Sequence, residues 1–278
     1  MLARGGIAGV LETCKHSAPP DTRENSTVTG RNSHREIVVA HASDVHVDDG
    51  YAARLFGGDG AGGLRAVHVA ARKINSDVVL LAGDTFDCHR LPGSLLDHTA
   101  ATVREFDLPI VLLPGNHDPA VEDAVFHHPA LAKLDCLHIL GVTHQDAVQF
   151  PDLELEVWGR AHRDYSDMDP LARVRARTTP WQIAMAHGHH TPVPDRSTRL
   201  RPSWLIGDDE IAATRADYLA LGHWNRRVQV GPGAIPAWYS GSPDYARSVN
   251  VVRLRIDGGV EVGREPLDLP EDFGGGML

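Results

Sequence analysis

Five short segments of this 278-residue chain carry metal-binding side chains directly after an apolar run. Asp44-Val45-His46 follows Ile37–Ala40, Gly83-Asp84-Thr85-Phe86-Asp87 follows Val78–Ala82, and Gly115-Asn116-His117-Asp118 follows Ile110–Leu113. His187-Gly188-His189-His190 follows Ile183–Ala186, and Gly222-His223 follows Tyr218–Leu221. Carboxylate, imidazole and amide oxygen donors together suit borderline divalent ions better than the all-oxygen cages typical of Ca or Mg. Each segment taken singly also has a plain reading, because Asp and Asn cap helices and end strands while glycine serves turns. That reading leaves unexplained why all five turns carry a ligand type.

The elements that must position these residues are visible too. The apolar runs are short enough to be buried strands, and the ends of such strands are where open α/β sheets collect ligands. Leu64, Val67, Ala71 and Ile74 recur at helical spacing, as do Leu95 or Leu96, Thr99, Val103 and Phe106. Val249–Ile256 reads as a strand, and Asp257-Gly258-Gly259 as a turn into Val260–Val262.

In this order the segments resemble the calcineurin-like metallophosphoesterase superfamily, whose pattern is Asp-x-His, Gly-Asp-x-x-Asp, Gly-Asn-His-Asp/Glu, a His after a strand, and Gly-His-x-His. The resemblance runs from about Ile37 to Ser242. Within it, His41–His46, Ala82–Asp87 and Gly115–Asp118 are most similar to the DNA-repair exonuclease branch, the SbcD-like nucleases, and Tyr239-Ser240-Gly241-Ser242 resembles a segment that follows the last motif there. The resemblance implies an α/β fold, a four-layer αββα sandwich with two packed mixed β-sheets. It also implies a metal-dependent phosphoesterase of the phosphodiesterase or exonuclease kind, with a dinuclear centre whose metal-bound hydroxide attacks phosphorus in line.

Two divalent ions, Mn by expectation with Fe, Co or Zn as alternatives, supply both the nucleophile and positive charge against the phosphoryl oxygens. By the family pattern Asp44 and His46 bind the first ion, Asp84 bridges both, and Asn116, His187 and His223 hold the second. His117 is then the general acid or charge stabiliser, oriented by Asp87, and the two form the catalytic pair. Asp118 is placed as a hydrogen-bonding support of the same loop, and His189, with His190, behind the ligands or facing substrate. The chain departs from the pattern at Gly222-His223-Trp224-Asn225, where Asn225 stands in place of the final His. An amide oxygen is the weaker donor, so the first ion is expected to be held less tightly. Alternatives in substrate are a cyclic nucleotide or other small phosphodiester, or a phosphomonoester. The alternative of another class is a degenerate fold serving as a protein-binding scaffold.

Composition fits one enzyme domain. With 42% hydrophobic residues the chain can bury a substantial core, expected over residues 36–270, with an irregular N-terminal extension at 1–35 and a flexible tail at 271–278. The N-terminal apolar stretch is too short for a secretory signal, and no run approaches membrane-spanning length. Cysteines 14, 88 and 136 form no CxxC pair, which argues against a disulfide framework and makes the cytoplasm the default location. A formal net charge of −10 gives no overall basic footprint for nucleic acid. Any charge for single-stranded or damaged DNA would be local, at Arg196, Arg199 and Arg201 and at Arg226 and Arg227, residues that read equally as solvated loop arginines. The sequence offers no long C-terminal extension of the kind that engages an ATPase partner in the exonuclease branch. Trp224 and Tyr239 read first as packing residues and second as stacking platforms for substrate.

Overall fold

The computed structural model describes residues 35–197 and 202–269. The expected extension except Arg35, the tail, and Arg199 and Arg201 lie outside them. The strands in chain order are β1 (Ile37–Ala42), β2 (Val78–Ala82), β3 (Ile110–Leu113), β4 (Leu137–Ile139), β5 (Ala147–Phe150), β6 (Leu155–Gly159) and β7 (Trp181–His187). They continue with β8 (His189–His190), β9 (Leu205–Ile206), β10 (Tyr218–Gly222), β11 (Val228–Val230), β12 (Ala237–Tyr239), β13 (Ser248–Leu254) and β14 (Val260–Pro266). The helices are α1 (Tyr51–Leu55), α2 (Gly62–Lys73), α3 (Gly93–Phe106), α4 (Pro129–Ala132), α5 (Asp208–Thr214) and α6 (Pro243–Ala246).

Two mixed six-stranded sheets form the centre, in the orders β14-β13-β1-β2-β3-β4 and β11-β12-β10-β7-β6-β5. The period-2 alternation of strand side chains assigns the layers. Ile37, Val39, Val78, Leu80, Val111 and Leu113 point between the sheets and meet Val157, Ile183, Met185 and Tyr218 of the second sheet. Their neighbours Ala40, Val79, Leu81 and Leu112 face the other way, against Leu64 and Val67 of α2 and Leu96 and Val103 of α3. Buried on both faces, these strands have the continuous apolar sequence that marked them. The outer face of the second sheet packs Ala184, Ala186, Leu219 and Leu221 on Ile206 and on Ile211 of α5. The layers are therefore those of an αββα sandwich, with the fourth supplied by one seven-residue helix and loops.

The last hairpin opens earlier than the sequence pattern suggests, with residues 255–259 between its strands. Arg255 N–H already donates to the Gly259 carbonyl at 2.9 Å, so β13 ends at Leu254 and Ile256 is left 60% exposed in the turn. No helix among the described residues is long and apolar enough to cross a membrane.

Parallel pairing levels the strand ends. Ala42 is opposite Leu81, Ala82 opposite Leu113, and Gly222 opposite His187. The turns that leave β1, β2, β3, β7 and β10 consequently gather at one edge where the two sheets meet.

Candidate metal centre

The turns after β1 and β2 continue side by side beyond the strands. Asp44 N–H donates to the Gly83 carbonyl at 3.0 Å, His46 to Asp84 at 3.1 Å and Val47 to Thr85 at 2.8 Å. The backbone there is unusual: Asp44, His46 and Asp84 have φ of 53°, 50° and 50°, and His223 has 105°. Non-glycine residues in the left-handed region carry a conformational cost and collect at functional sites. Glycine is required beside them by space. A Cβ on Gly83 would sit 2.1 Å from His187 Nδ1, and one on Gly222 would sit 1.8 Å from the Ala82 carbonyl oxygen.

Asp84, His187 and His223 bring ligand atoms within 4.8 Å of one another. Asn116 Oδ1 joins them, 3.1 Å from His187 Nε2 and 3.1 Å from His223 Nδ1. His187 Nδ1–H donates to the Ala82 carbonyl at 2.9 Å, which fixes the tautomer and leaves the Nε2 lone pair directed at the acceptors Asp84 Oδ2, at 3.1 Å, and Asn116. Such a ring needs a proton or a cation on Nε2. Burial opposes the proton, but the charges of Asp84 and Asp44 outweigh it and push His187 up to about 9. Burial likewise works to raise Asp84, and His187 overcomes it, holding that carboxyl below its usual range. A divalent ion would displace the His187 proton and satisfy all the acceptors together, so the donor set fits a metal. Burial, followed by the neighbouring His187, lowers His223 to about 3, leaving a neutral ring free to ligate.

A second donor set shares one member with the first: Asp44, His46 and Asp84 also lie within 4.8 Å. Both Asp44 oxygens accept from His223 N–H, at 3.1 and 3.0 Å, and Ser43 Oγ donates to Oδ2 at 2.5 Å. Burial pushes the Asp44 carboxyl up to about 6. His46 Nδ1 is a buried nitrogen with no aligned hydrogen bond, its nearest carboxylate being Asp87 at 3.3 Å. Asn225 stands on the wall of the same cavity as Asp44 and His46.

His46, Asp87 and His117 make a third grouping, on the open side. His117 Nδ1 donates to the Asp87 main-chain carbonyl at 3.0 Å, whereas the Asp87 carboxylate is 4.0 Å from that nitrogen and 3.3 Å from His46 Nδ1. Asp87 thus orients His117 through its backbone, and its side chain lies closer to His46. His117 N–H donates to Asp84 Oδ1 at 2.9 Å, tying the half-exposed imidazole to the shared carboxylate.

Buried Asp118 accepts from Phe86 N–H at 3.0 Å and Gly115 N–H at 2.7 Å, pinning the β2 and β3 turns together. Burial and then the charge of Asp84 push its carboxyl up to about 8. His189 is exposed at the rim, where its Nδ1 accepts from Trp224 Nε1–H at 3.0 Å. His190 turns to Asp208, 2.8 Å from Nε2. Trp224 stacks on Tyr239 with centroids 4.4 Å apart, which spends one face of its ring on packing.

Three contributors escaped the sequence reading. Ser43 couples Asp44 to Ser240, whose Oγ is 2.8 Å away. His162 Nε2 donates to the His187 carbonyl at 2.9 Å and so steadies the end of β7. Ser43 and Ser240 both sat inside quoted motif segments, but His162 follows no motif.

The model of the family described as Calcineurin-like phosphoesterase matches residues 37–227, a span that holds every residue of the donor sets above. The chain belongs to the calcineurin-like phosphoesterase family. The family makes it a metal-dependent phosphoester hydrolase. Solved structures are similar at low identity. One is similar with a TM-score of 0.55 at 11% identity, over 84% of this chain and 99% of that one. The "Putative 5'-Nucleotidase from Staphylococcus aureus in complex with alpha-ketoglutarate" has a TM-score of 0.52 at 13% identity, over 86% of this chain and 56% of that one. TT1561 of Thermus thermophilus has a TM-score of 0.47 at 12% identity, over 82% of this chain and 98% of that one. No curated protein matches the chain.

Proposed function

We propose that this calcineurin-like phosphoesterase is a phosphodiesterase with a dinuclear metal centre. The observation that supports it best is that Asp84 belongs to two donor sets at once, Asp44-His46-Asp84 and Asp84-His187-His223. A carboxylate between two cations offsets their mutual repulsion. Asp44 and His46, with Asn225 nearby, would hold the first ion, and Asn116, His187 and His223 the second. Bound ions of this kind supply a nucleophile at neutral pH and charge against the phosphoryl oxygens, with Mn the first expectation.

The protein's own groups do the rest. The Nδ1–H of His117 is committed to the Asp87 carbonyl, so Nε2 is the nitrogen that exchanges a proton with the leaving oxygen. Asp118 keeps the two turns in register, and the Ala82 carbonyl holds His187 in the ligating tautomer.

A kinship with the repair exonucleases remains part of this reading at the level of motif, and a small ester is favoured over a polynucleotide as substrate. Arg196 is taken up by Asp169 at 3.0 Å and Glu210 at 2.9 Å, and Arg227 by Asn250 at 2.6 Å and the Trp238 ring. Neither stands ready for a phosphate backbone.

The test is hydrolysis of bis(4-nitrophenyl) phosphate by metal-stripped protein reloaded with Mn, alongside elemental analysis. Turnover dependent on added metal, two ions per chain, and loss of both in Asp84→Ala are expected. Full turnover in Asp84→Ala would rule out the shared carboxylate.

A further inference from the structure

Beside the first-ion donors opens a cavity of about 410 Å³, large enough for a small organic group. It is continuous with the candidate centre, because Asp44, His46 and Asn225 are among its lining residues. Apolar lining comes from Ala52 and Leu55 on α1 and from Phe56, the residue that follows it. The remaining charge is negative: Asp48, Asp87 and Asp244 line the cavity, and among the described residues no lysine or arginine does. Asp48 is partly occupied, accepting from the N–H groups of Gly50, Tyr51 and Ala52 at 2.8, 3.1 and 2.8 Å. Tyr51 also lines the cavity and, with Phe56, brings aromatic surface next to carboxylate.

That combination discriminates by charge. A nucleic-acid strand crossing the centre on this side would bring its next phosphate against carboxylates, in a cavity that no described lysine or arginine lines. An uncharged organic group would lose nothing there, and an ammonium group would gain from both the carboxylates and the aromatic faces.

We propose that this cavity receives the alcohol-derived group of a small phosphoester, an apolar-bodied group without negative charge, with an ammonium-bearing group as the best fit. The inference rests on the phosphoesterase reading and narrows its substrate class.

The Mn-loaded protein should be given alkyl 4-nitrophenyl phosphodiesters that differ only in the alkyl group, which is trimethylammonioethyl, neutral 3,3-dimethylbutyl or carboxypropyl. Salt must be high enough to screen the net charge of the chain. The expected kcat/KM falls by about tenfold or more from the cationic to the anionic ester, as unfavourable like-charge juxtaposition requires. Asp244→Asn should narrow that ratio several-fold, whereas Asp152→Asn, an exposed carboxylate in the turn between β5 and β6, should leave it unchanged. An arm independent of turnover titrates the metal-free protein with benzyltrimethylammonium, benzyl alcohol or benzoate while the amide signals of Leu55 and Phe56 are followed by NMR. The first two should give saturable shifts, removed by Leu55→Trp, and benzoate none. Equal kcat/KM for the three esters, or benzoate shifting those signals as strongly as the cation, would overturn the inference. Turnover of no ester, with the ammonium probe still bound, would instead defeat the phosphoesterase reading and leave the selectivity of the cavity standing.

Discussion

At the scale of single residues, the members of the donor sets were legible as candidates because each lies at or shortly after the end of a strand, and each strand announces itself by an apolar run. His117 was legible as a position, whereas its orientation was not: the Asp87 carbonyl that receives Nδ1–H is a backbone group, carrying no mark in the sequence. Ser240 and His162 act across 197 and 25 residues respectively, contacts that only the folded chain brings about. The geometry of His117 gives a direct expectation. His117→Ala should keep its metal but lose turnover, by about 10²–10⁴-fold for an alkoxide leaving group and much less for nitrophenolate, which needs little proton assistance. Equal losses for both, together with loss of metal, would identify His117 as a ligand. Asn225 gives another. Isothermal titration of the metal-free protein should resolve a weak and a tight site, and Asn225→His should tighten only the weak one, because imidazole replaces a neutral amide oxygen. Two equally tight sites, unmoved by the substitution, would show that a different group completes the first site.

At the scale of elements, α2 and α3 were readable from their 3.6-residue period and the central strands from their buried runs. The pieces β8, β9, α5 and α6 span two to seven residues and are too short to show a period, so they were not. The strand-end glycines were readable as turn residues only. Their second task, letting two turns approach within contact, depends on which strands become neighbours. Gly222 makes the distinction measurable. A Cβ there would meet the Ala82 carbonyl at 1.8 Å and His187 Nδ1 at 2.7 Å, wedging apart the hydrogen bond that sets the His187 tautomer. Gly233, by contrast, has φ of 86° but nothing within 4 Å of its Cβ position. Gly233→Ala should therefore cost about 1 kcal/mol from backbone strain alone. Gly222→Ala should cost more, on the order of 1–3 kcal/mol or above from overpacking, and should weaken metal binding as well. Urea midpoints and metal titrations of the two variants would separate the effects, and similar midpoints with undisturbed metal affinity would refute the wedge.

At the scale of the whole molecule, a core that encloses several neutral histidines makes stability depend on pH. His41, between the sheets, is lowered to about 3 and His68, on α2, to about 4, in both cases chiefly by burial. His68 stacks on Phe106 of α3 at 4.2 Å and donates Nδ1–H to the Leu64 carbonyl at 2.9 Å, while its buried Nε2 has no partner to receive a proton's charge. The sign follows from the direction in which burial moves these rings. In the unfolded chain they take up protons as pH falls through about 6.5, whereas the folded chain refuses them until pH falls to the lowered values. Between those limits the unfolded state binds more protons, so stability is complete above the unfolded value and declines as the solution becomes more acidic. For His68 alone the decline is on the order of 3 kcal/mol, at about 1.4 kcal/mol for each pH unit between the unfolded and folded values. Denaturation of the metal-free protein at about pH 7.5 and about pH 5 measures it without interference from metal release. His68→Phe, which keeps the stacking and removes the titrating nitrogen, should lose markedly less stability between the two conditions than the wild type. An equal loss would mean that the proton uptake responsible lies elsewhere in the core, with His41 as the next group to replace.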